Sequence, residues 1–373
     1  MCTAALTVAS SACRDSSAED DAVVHYTAVE RARSDSAAEL TQASSIAVDR
    51  RGNVFVADRS AVRLFGPDGR LLRSIGRQGS GPGEFDWVAT IGLLPGDSLY
   101  AFDMGSERLT VFAPGTYRAA YSTRIGQNQL FPAYDARLVQ GGRFAVAMFV
   151  AAYGSFDDRE TKGPRKTVVR LLNADGSLRR DSVLAVPERE NLILHNPEAI
   201  SINPFGRRTH FAFASGDRIV SAWSDSLKFD VHTIEGRHVR TVRPSYAPPR
   251  RPITSHDRDS VSAAMANDMV PAPVLQRALL RYPAKTWPLV QDVIVDDQDR
   301  IWAGITGGAG EPHHWMAFDM DGARVAQVDL PVNAQLRLVR GSTAYVVETD
   351  ENDVPQVVVY DLRPSRPLAL GRR

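Results

Sequence analysis

The stretch SIAVDRRGNVFVADRSAVRLFGPDGRLLRSIG, residues 45–76, decides the fold of this chain. Apolar and polar residues alternate along it, and the alternation breaks at Arg51-Gly52-Asn53 and at Pro67-Asp68-Gly69. Alternation with a period of two predicts β-strands, and Gly, Asn and Asp are the residues that tight hairpin turns require. The stretch therefore predicts four short antiparallel strands, one unit of an all-β fold.

The second turn of this unit recurs along the chain. Alternating apolar runs end in a similar turn at five further positions, marked by Gly115, Gly176, Gly236, Gly322 and, in degraded form, Pro364. The intervals between copies run from 42 to 86 residues, and the shortest match the length of a four-stranded propeller blade. The sequence predicts a six-bladed β-propeller of four-stranded antiparallel blades, with insertions where the intervals are longer.

Two segments carry a resemblance to a known family. Asp49–Asp58 is similar to the D-x-x-G-N-hydrophobic-A-D segment of NHL-type six-bladed β-propellers. Gly76–Phe85 is similar to the G-x-G-x-G-P-G-E-F stretch that leads from one blade to the next in such proteins. The chain resembles the exported bacterial members in particular. The resemblance implies the six-bladed fold and leaves the function open.

We expect residues 23–373 to form one propeller domain, with blades at about residues 45–76, 88–125, 136–186, 210–242, 290–330 and 336–362. The strand-like Val23–Val29 is expected to pair with the last blade and close the ring. Tyr153–Lys166 lengthens the third blade. Thr254–Trp287 has an acidic start and an apolar helical stripe, so it predicts a short helical insertion between blades four and five. The insertion either covers the central channel or packs at its side.

The N-terminus differs from the rest of the chain. The small, apolar stretch Ala4–Cys13 gives way to the charged Arg14–Asp21, which resembles the end of a bacterial lipoprotein signal. The resemblance implies an exported protein, periplasmic or membrane-anchored through a lipid on Cys13, with residues 1–22 as signal and disordered tether. A disordered cytosolic tail is the alternative.

Composition excludes several classes of partner and chemistry. With 44 basic and 44 acidic residues the formal net charge is zero, so we expect no nucleic acid partner and no membrane contact beyond the lipid anchor. Both cysteines precede the folded body, which leaves it without a disulfide or a thiolate metal site. No nucleophile elbow or Cys–His couple occurs, so no catalytic residue is predicted. A monomer is expected.

A binding face is predicted from the topology of a propeller. Loops between the second and third strands emerge at the same end as the crossings between blades. Six residues of these loops are candidates for contact with a protein, peptide or carbohydrate ligand: Arg59, Trp87, Arg108, Trp223, His313 and Trp315. We expect Trp223→Ala or Trp315→Ala to weaken binding by ~2 kcal/mol with little change in melting temperature, as for aromatic anchors. The sequence thus favours a non-enzymatic binding protein.

The alternative is a metal-dependent hydrolase or lyase with a calcium or zinc ion in the central channel. His313 and the acidic run Glu348–Asp353 are its candidate ligands, although both are also typical of exposed loops. Asp58 and Asp103 each end a second strand, where they form either a ring of charge or caps for loop amides. The capping interpretation is favoured, and it predicts a loss of ~1 kcal/mol of stability on substitution by alanine.

Overall fold

The computed structural model describes residues 23–125, 133–150, 166–195, 198–308 and 310–365. The predicted tether and Cys13 lie outside these residues, as does nearly all of the insertion Tyr153–Lys166. Two α-helices lie within the described residues, α1 (Ser255–Met265) and α2 (Ala272–Arg281). Neither is long and apolar enough to cross a membrane. Everything else that is regular is β-structure, apart from short 3-10 turns at Ser36–Ala38 and Gln140–Gly142.

The strands of the described residues are, in chain order, β1 (Val24–Arg33), β2 (Ile46–Val48), β3 (Val54–Asp58), β4 (Ala61–Phe65), β5 (Leu71–Ile75), β6 (Arg77–Gln78), β7 (Glu84–Phe85), β8 (Val88–Leu93), β9 (Leu99–Asp103), β10 (Arg108–Phe112), β11 (Ala119–Arg124), β12 (Ala133–Val139), β13 (Arg143–Val150), β14 (Lys166–Leu172), β15 (Leu178–Pro187), β16 (Asn191–His195), β17 (Glu198–Ile202), β18 (Thr209–Ala214), β19 (Arg218–Trp223), β20 (Phe229–Thr233), β21 (His238–Val242), β22 (Val290–Val295), β23 (Ile301–Ile305), β24 (His313–Phe318), β25 (Arg324–Leu330), β26 (Ala334–Arg340), β27 (Thr343–Thr349) and β28 (Pro355–Pro364).

These strands form a propeller-like arrangement of antiparallel sheets. β2–β5, β8–β11, β12–β15 and β18–β21 each make a four-stranded sheet in which sequence neighbours pair. An eight-stranded sheet has the order β22-β23-β24-β25-β1-β28-β27-β26, and β6–β7 and β16–β17 form two-stranded sheets. The four strands predicted from residues 45–76 are therefore confirmed as one sheet.

First strands lie at the centre of the arrangement. β2 contacts β8 on one side and β26 on the other, β8 contacts β12, and β22 contacts both β18 and β26. Apolar side chains fill the space between neighbouring sheets, as Phe55, Phe85 and Phe112 do between the first and second. Burying such aromatic side chains contributes about 2 kcal/mol each. The outer strands β5 and β11 are mostly exposed.

The two ends of the described chain meet in one sheet. β1 pairs antiparallel with β28, from Tyr26 opposite Pro364 to Arg33 opposite Val358. Its first residues also pair in parallel with β25. The expected pairing of the N-terminal strand with the last unit of the chain is confirmed, and it leaves no free edge on β28 for another chain to join.

Carboxylates hold the crossings that enter the first two sheets. Asp58 Oδ1 accepts hydrogen bonds from the amide nitrogens of Thr41 at 2.9 Å and Gln42 at 3.1 Å. Asp103 accepts from the amide nitrogens of Asp86 at 2.8 Å and Trp87 at 2.9 Å. Both acids cap backbone amides: those bonded to Asp58 belong to the entering segment, whereas Asp103 also accepts from Gly105 and Ser106 of its own loop.

The chain between β15 and β22 carries a separate small core. The hairpin β16–β17 was not predicted from sequence, whereas both helices lie within the predicted insertion. Leu275 and Leu279 of α2 pack against Leu192, Leu194 and Phe205 around the hairpin. Thr254 and Asp257 form a capping box that begins α1. The helical insertion therefore packs on the hairpin, and its exit at Trp287 leads back to the centre of the arrangement.

Candidate binding cavity

A cavity of about 540 Å³ lies between the fourth sheet and the eight-stranded sheet. Three groups of residues line it: the crossing from β15 to β18, the end of the crossing from β21 to β22, and the central strands β22 and β26. Ser224 and Thr306, which directly follow the second strands β19 and β23, also line it, and His313 and Trp315 of β24 complete the wall. The cavity thus lies at the end of the arrangement where crossings and second-to-third strand loops meet.

Arginine dominates the charge of this cavity. Arg189, Arg208 and Arg337 line it, and Asp292 is the one carboxylate among the described residues that do so. Nη2 of Arg208 donates to the carbonyl oxygen of Gln291 at 2.8 Å, and Nη2 of Arg337 donates to Oε1 of Gln335 at 2.6 Å. These bonds fix the direction of two guanidinium groups and leave an excess of positive charge around the cavity.

The pKa values of Arg208 and Arg337 lie below the ordinary value for arginine. Burial lowers the pKa of Arg208, and Arg189 lowers it further, while Asp292 acts in the opposite direction. Burial likewise lowers the pKa of Arg337. The pKa of Asp292 is raised by burial, but hydrogen bonding and charge from His210, with Arg337 adding to them, bring it below its ordinary value. Asp292 is therefore ionised, with His210 Nδ1 at 3.6 Å from its Oδ1.

Four buried N–H groups of residues that line the cavity have no hydrogen-bond partner. They are Nε of Arg337, Nε1 of Trp315, Nε1 of Trp287 and Nδ2 of Asn203. The amide of Asn203 is oriented by its Oδ1, which accepts from the amide nitrogen of Phe205 at 3.1 Å. A buried donor without an acceptor costs roughly 1–3 kcal/mol, so these atoms favour an acceptor-rich occupant.

A network of charged side chains fixes the cavity walls. Arg207 is buried, and its Nε donates to Oδ1 of Asp225 at 2.9 Å while its Nη1 donates to the carbonyl oxygens of Phe205 and Thr286, each at 2.9 Å. Arg250 Nη1 donates to the same Oδ1 at 2.8 Å. Burial raises the pKa of Asp225, but the bonds from Arg250 and Arg207 outweigh it and lower the pKa. The two crossings are thereby tied to the loop after β19.

Hydroxyl groups hold the crossings near the cavity, and that of Ser224 accepts from a backbone amide as the carboxylates of the first two sheets do. Ser224 Oγ accepts from the amide nitrogen of Arg208 at 2.9 Å, and the carbonyl oxygen of Ser224 accepts from the amide nitrogen of Val290 at 3.0 Å. Thr306 Oγ1 bonds to the carbonyl oxygen of Pro288. The crossings are held here by neutral side chains.

The structure divides the residues predicted to bind a partner. His313 and Trp315 line the cavity. Trp315 is only 3% exposed and packs within the core of the eight-stranded sheet, so we now expect Trp315→Ala to lower the melting temperature, unlike the expectation from sequence. Trp223 is half-buried, next to Ser224 but not in the cavity wall.

The other predicted residues lie near the second sheet. The guanidinium of Arg59 stands 5.6 Å from the centre of the Trp87 ring, and that ring is 42% exposed. Arg108 begins β10 and reaches Oγ of Ser122 at 3.5 Å. Within the described residues, no group of three or more His, Cys, Asp and Glu side chains is placed to hold a metal ion.

Sequence reasoning missed the charged residues of the cavity. Arg189, Arg208, Asp292 and Arg337 come from three distant segments, and none of them stands in a recognisable motif. Arg189 and Arg208 lie in the stretch between β15 and β18, which interrupts the repeat, but no local signal marks Asp292 in β22 or Arg337 in β26.

Comparison with known proteins identifies the fold. A protein from Bacteroides fragilis described as exported is similar at 10% identity, over 93% of this chain and 96% of that one, with a TM-score of 0.51. A Bacteroides vulgatus member of the DUF4221 family is similar at 10% identity, over 90% of this chain and 97% of that one, with a TM-score of 0.55. No protein-family model matches the chain, and no curated protein matches it. These likenesses establish the fold alone.

Proposed function

We propose that this protein is a non-enzymatic, monomeric ligand-binding propeller of the bacterial cell envelope, and that the cavity at one end of its axis holds the ligand. The observation that carries the proposal is the cavity of about 540 Å³ with oriented arginines and unpartnered N–H groups. Small-molecule sites commonly have volumes of roughly 300–1,000 Å³ and combine apolar walls with a few placed polar groups.

We further propose that the propeller has six blades and is of the NHL type. The eight-stranded sheet is then two blades, β22–β25 and β26–β28 with β1, joined because the first residues of β1 also pair with β25. Four separate sheets and these two make the six units that the recurring turn predicts. The segments Asp49–Asp58 and Gly76–Phe85 support the NHL type.

Export is the second part of the proposal. It is supported by the lipoprotein-like sequence around Cys13 and by the description of the similar Bacteroides fragilis protein as exported. Expression of the gene with its upstream in-frame codons in a bacterium, followed by mass spectrometry of the N-terminus, tests it. We expect a lipid on Cys13, and an unmodified soluble protein that begins at Met1 contradicts the proposal.

The predicted contact residues take different parts in this proposal. His313 and Trp315 contribute to the wall of the cavity. Arg59 and Trp87, with Arg108 and Trp223, remain candidates for contact with a protein, peptide or carbohydrate at the same end of the ring. The alternative of a hydrolase or lyase with calcium or zinc is tested by elemental analysis of the purified protein, where a stoichiometric metal would favour it.

A cavity-filling substitution tests the proposed site. Ile202 lines the cavity and is 61% exposed, so Ile202→Trp fills space without disturbing the core, and Ile202→Ala is its control. Thermal unfolding is followed with a panel of carboxylates, phosphates, sugars, amino acids and short peptides. Because a ligand that binds the folded state raises the melting temperature, we expect at least one class to stabilise the wild type and Ile202→Ala but not Ile202→Trp. Equal stabilisation of all three proteins, or of none, contradicts the site.

A further inference from the structure

We infer that the ligand of this cavity is a small organic or inorganic oxyanion, a carboxylate or phosphate, held by Arg208 and Arg337. The inference rests on the proposed function, because it takes the cavity to be a ligand site. Three independent features of the cavity carry it: the balance of charge, the kind of unpartnered polar atoms, and the absence of acids where other sheets of this fold have them.

The first feature is the balance of charge. Arg189, Arg208 and Arg337 face one carboxylate, Asp292, among the described residues that line the cavity. Asp292 is itself engaged with His210. Arg189 Nε is bonded to Oε1 of Glu188 at 2.8 Å, which leaves Arg208 and Arg337 as the guanidinium groups without a carboxylate bonded to them. Their positive charge attracts an anion that enters the cavity.

The second feature is the kind of polar atom left unpartnered. Nε of Arg337, Nε1 of Trp315 and Nδ2 of Asn203 are all donors, and they are buried. Guanidinium and indole nitrogens cannot act as acceptors. An occupant that satisfies them must present oxygen acceptors, and carboxylates and phosphates match the planar fork of arginine with two parallel bonds. A neutral sugar would offer acceptors too, but it would leave the excess positive charge uncompensated.

The third feature is the chemistry of the loops after the second strands. In the first two sheets the acids Asp58 and Asp103 hold the crossings. At the cavity, Ser224 Oγ accepts from the amide nitrogen of Arg208 as Asp103 accepts from that of Trp87, whereas Thr306 Oγ1 donates to the carbonyl oxygen of Pro288. A carboxylate at either place would bring negative charge to the cavity wall. The two hydroxyl groups hold the crossings without adding that charge.

The direct test measures binding of three small probes by isothermal titration calorimetry. The probes are succinate, inorganic phosphate and succinamide, the uncharged counterpart of succinate. We expect succinate or phosphate to bind and succinamide not to bind. The anion that binds more tightly shows whether the ligand is a carboxylate or a phosphate. Raising the salt concentration should weaken binding, because it screens the arginines.

Two arginine variants and a matched control identify the groups responsible. Arg208→Gln and Arg337→Gln are each expected to weaken anion binding about tenfold or more, equivalent to ~1.4 kcal/mol. Arg70→Gln removes an exposed arginine that does not line the cavity, and it should leave affinity unchanged. If Arg337→Gln fails to fold, Arg208→Gln, whose side chain is accessible from the cavity, decides the matter.

A charge placed on the wall gives a second, independent test. Ser224→Asp retains an acceptor for the amide nitrogen of Arg208, as Asp103 does for Trp87, but adds a negative charge to the cavity. Ser224→Asn has nearly the same shape without the charge. We expect Ser224→Asp to abolish anion binding, whereas Ser224→Asn keeps affinity within about threefold of Ser224.

The outcomes separate this inference from the proposed function. Binding of succinamide as tightly as succinate, or unchanged affinity in both arginine variants, overturns the oxyanion. If no anion binds but a neutral compound stabilises the protein and Ile202→Trp prevents this, the cavity is a ligand site and the oxyanion is wrong. If no probe and no member of the panel binds, both proposals fail.

Discussion

The crossing between consecutive sheets differs between the first two sheets and the region from β15 to β22. Between β5 and β8 the crossing is short and is fastened by Asp103 to the sheet that it enters. Between β15 and β18, and again between β21 and β22, the crossing is long and carries a hairpin or two helices. The first crossing only connects two sheets, whereas the two long crossings also line the cavity.

The two regions also differ in how their buried charged and polar groups are paired. Asp58 and Asp103 are buried acids whose charge is met by backbone amides and, for Asp58, by Nε of Arg63 at 3.0 Å. Near the cavity the buried network is built from arginines around Asp225, and donors at Arg337 and Trp315 remain without acceptors. Satisfied polar groups stabilise a fold, whereas buried donors left without acceptors call for a specific explanation, and the proposed ligand would supply one.

The largest expected effect is that of Trp315→Ala. Trp315 is 3% exposed within the core of the eight-stranded sheet, and removal of a buried tryptophan typically costs about 4 kcal/mol of unfolding free energy. Urea unfolding measures it. Trp87→Ala, in the crossing that enters the second sheet, is the control. It should cost under ~1 kcal/mol of unfolding free energy, because that ring is 42% exposed and buries little area. Equal losses would show that the two tryptophans share one role.

Asp103→Ala comes next. Asp103 is 1% exposed and accepts from four backbone amides, those of Asp86, Trp87, Gly105 and Ser106. Leaving several buried amides without an acceptor should cost about 3 kcal/mol, more than the ~1 kcal/mol expected from a single cap. The loss is measured by urea unfolding. A loss below that of one cap would mean that the crossing is held by its backbone alone.

Asp225→Asn tests the arginine network and its dependence on pH. The pKa of Asp225 is lowered in the folded protein by Arg250 and Arg207 despite the opposing effect of burial. Its contribution is therefore complete above the unfolded-state pKa of about 3.9 and is lost as the pH falls through the lower folded value. We expect the variant to lose about 1 kcal/mol at neutral pH, discounted because the side chain is 38% exposed.

The variant and the wild type should become similar in stability as the pH falls through the lowered folded-state pKa of Asp225, because protonation then removes from the wild type the charge that the variant lacks at every pH. Unfolding in urea at several pH values measures the difference. A difference that stays constant with pH would show that the bonds from Arg207 and Arg250 do not depend on the charge of Asp225.

Arg59→Ala has the smallest expected effect. The exposed contact between its guanidinium and the Trp87 ring, 5.6 Å from the centre, is worth about 0.5 kcal/mol. Thermal unfolding should hardly change, while the fluorescence of Trp87 should. Loss of binding to a protein or peptide partner on this substitution would show that the binding surface extends beyond the cavity to the residues near the second sheet.

Local pattern was enough to predict the sheets. The alternation around Gly52 and Gly69 depends on neighbours within a few residues, and a turn glycine such as Gly69 is dictated by its backbone, with φ at 84° and a Cβ that would meet the carbonyl oxygen of Arg33 at 2.0 Å. The capping acids Asp58 and Asp103 were interpretable for the same reason, since their position at a strand end was visible in the sequence.

The cavity was not predictable in this way. Arg208 and Arg337 are brought together only by the packing of β22 between β18 and β26, and no local spacing encodes that contact. Trp315 shows the reverse error: it was expected at a loop, but the register of β24 with β23 and β25 places it opposite Gly304 and Val328 in the core. Tertiary packing determined both results.

The pairing of β1 with β28 has a consequence for how the molecule reaches this state. Tyr26 and Pro364 face each other although nearly the whole chain lies between them, so the entropy of closing that loop must be met before their contact contributes. During synthesis most of β1 has no partner until β28 is made, because only its first residues pair with β25. The sheet that contains both chain ends should accordingly be the last to assemble and the first to open, and its hydrogen-exchange protection should be the weakest of the central sheets.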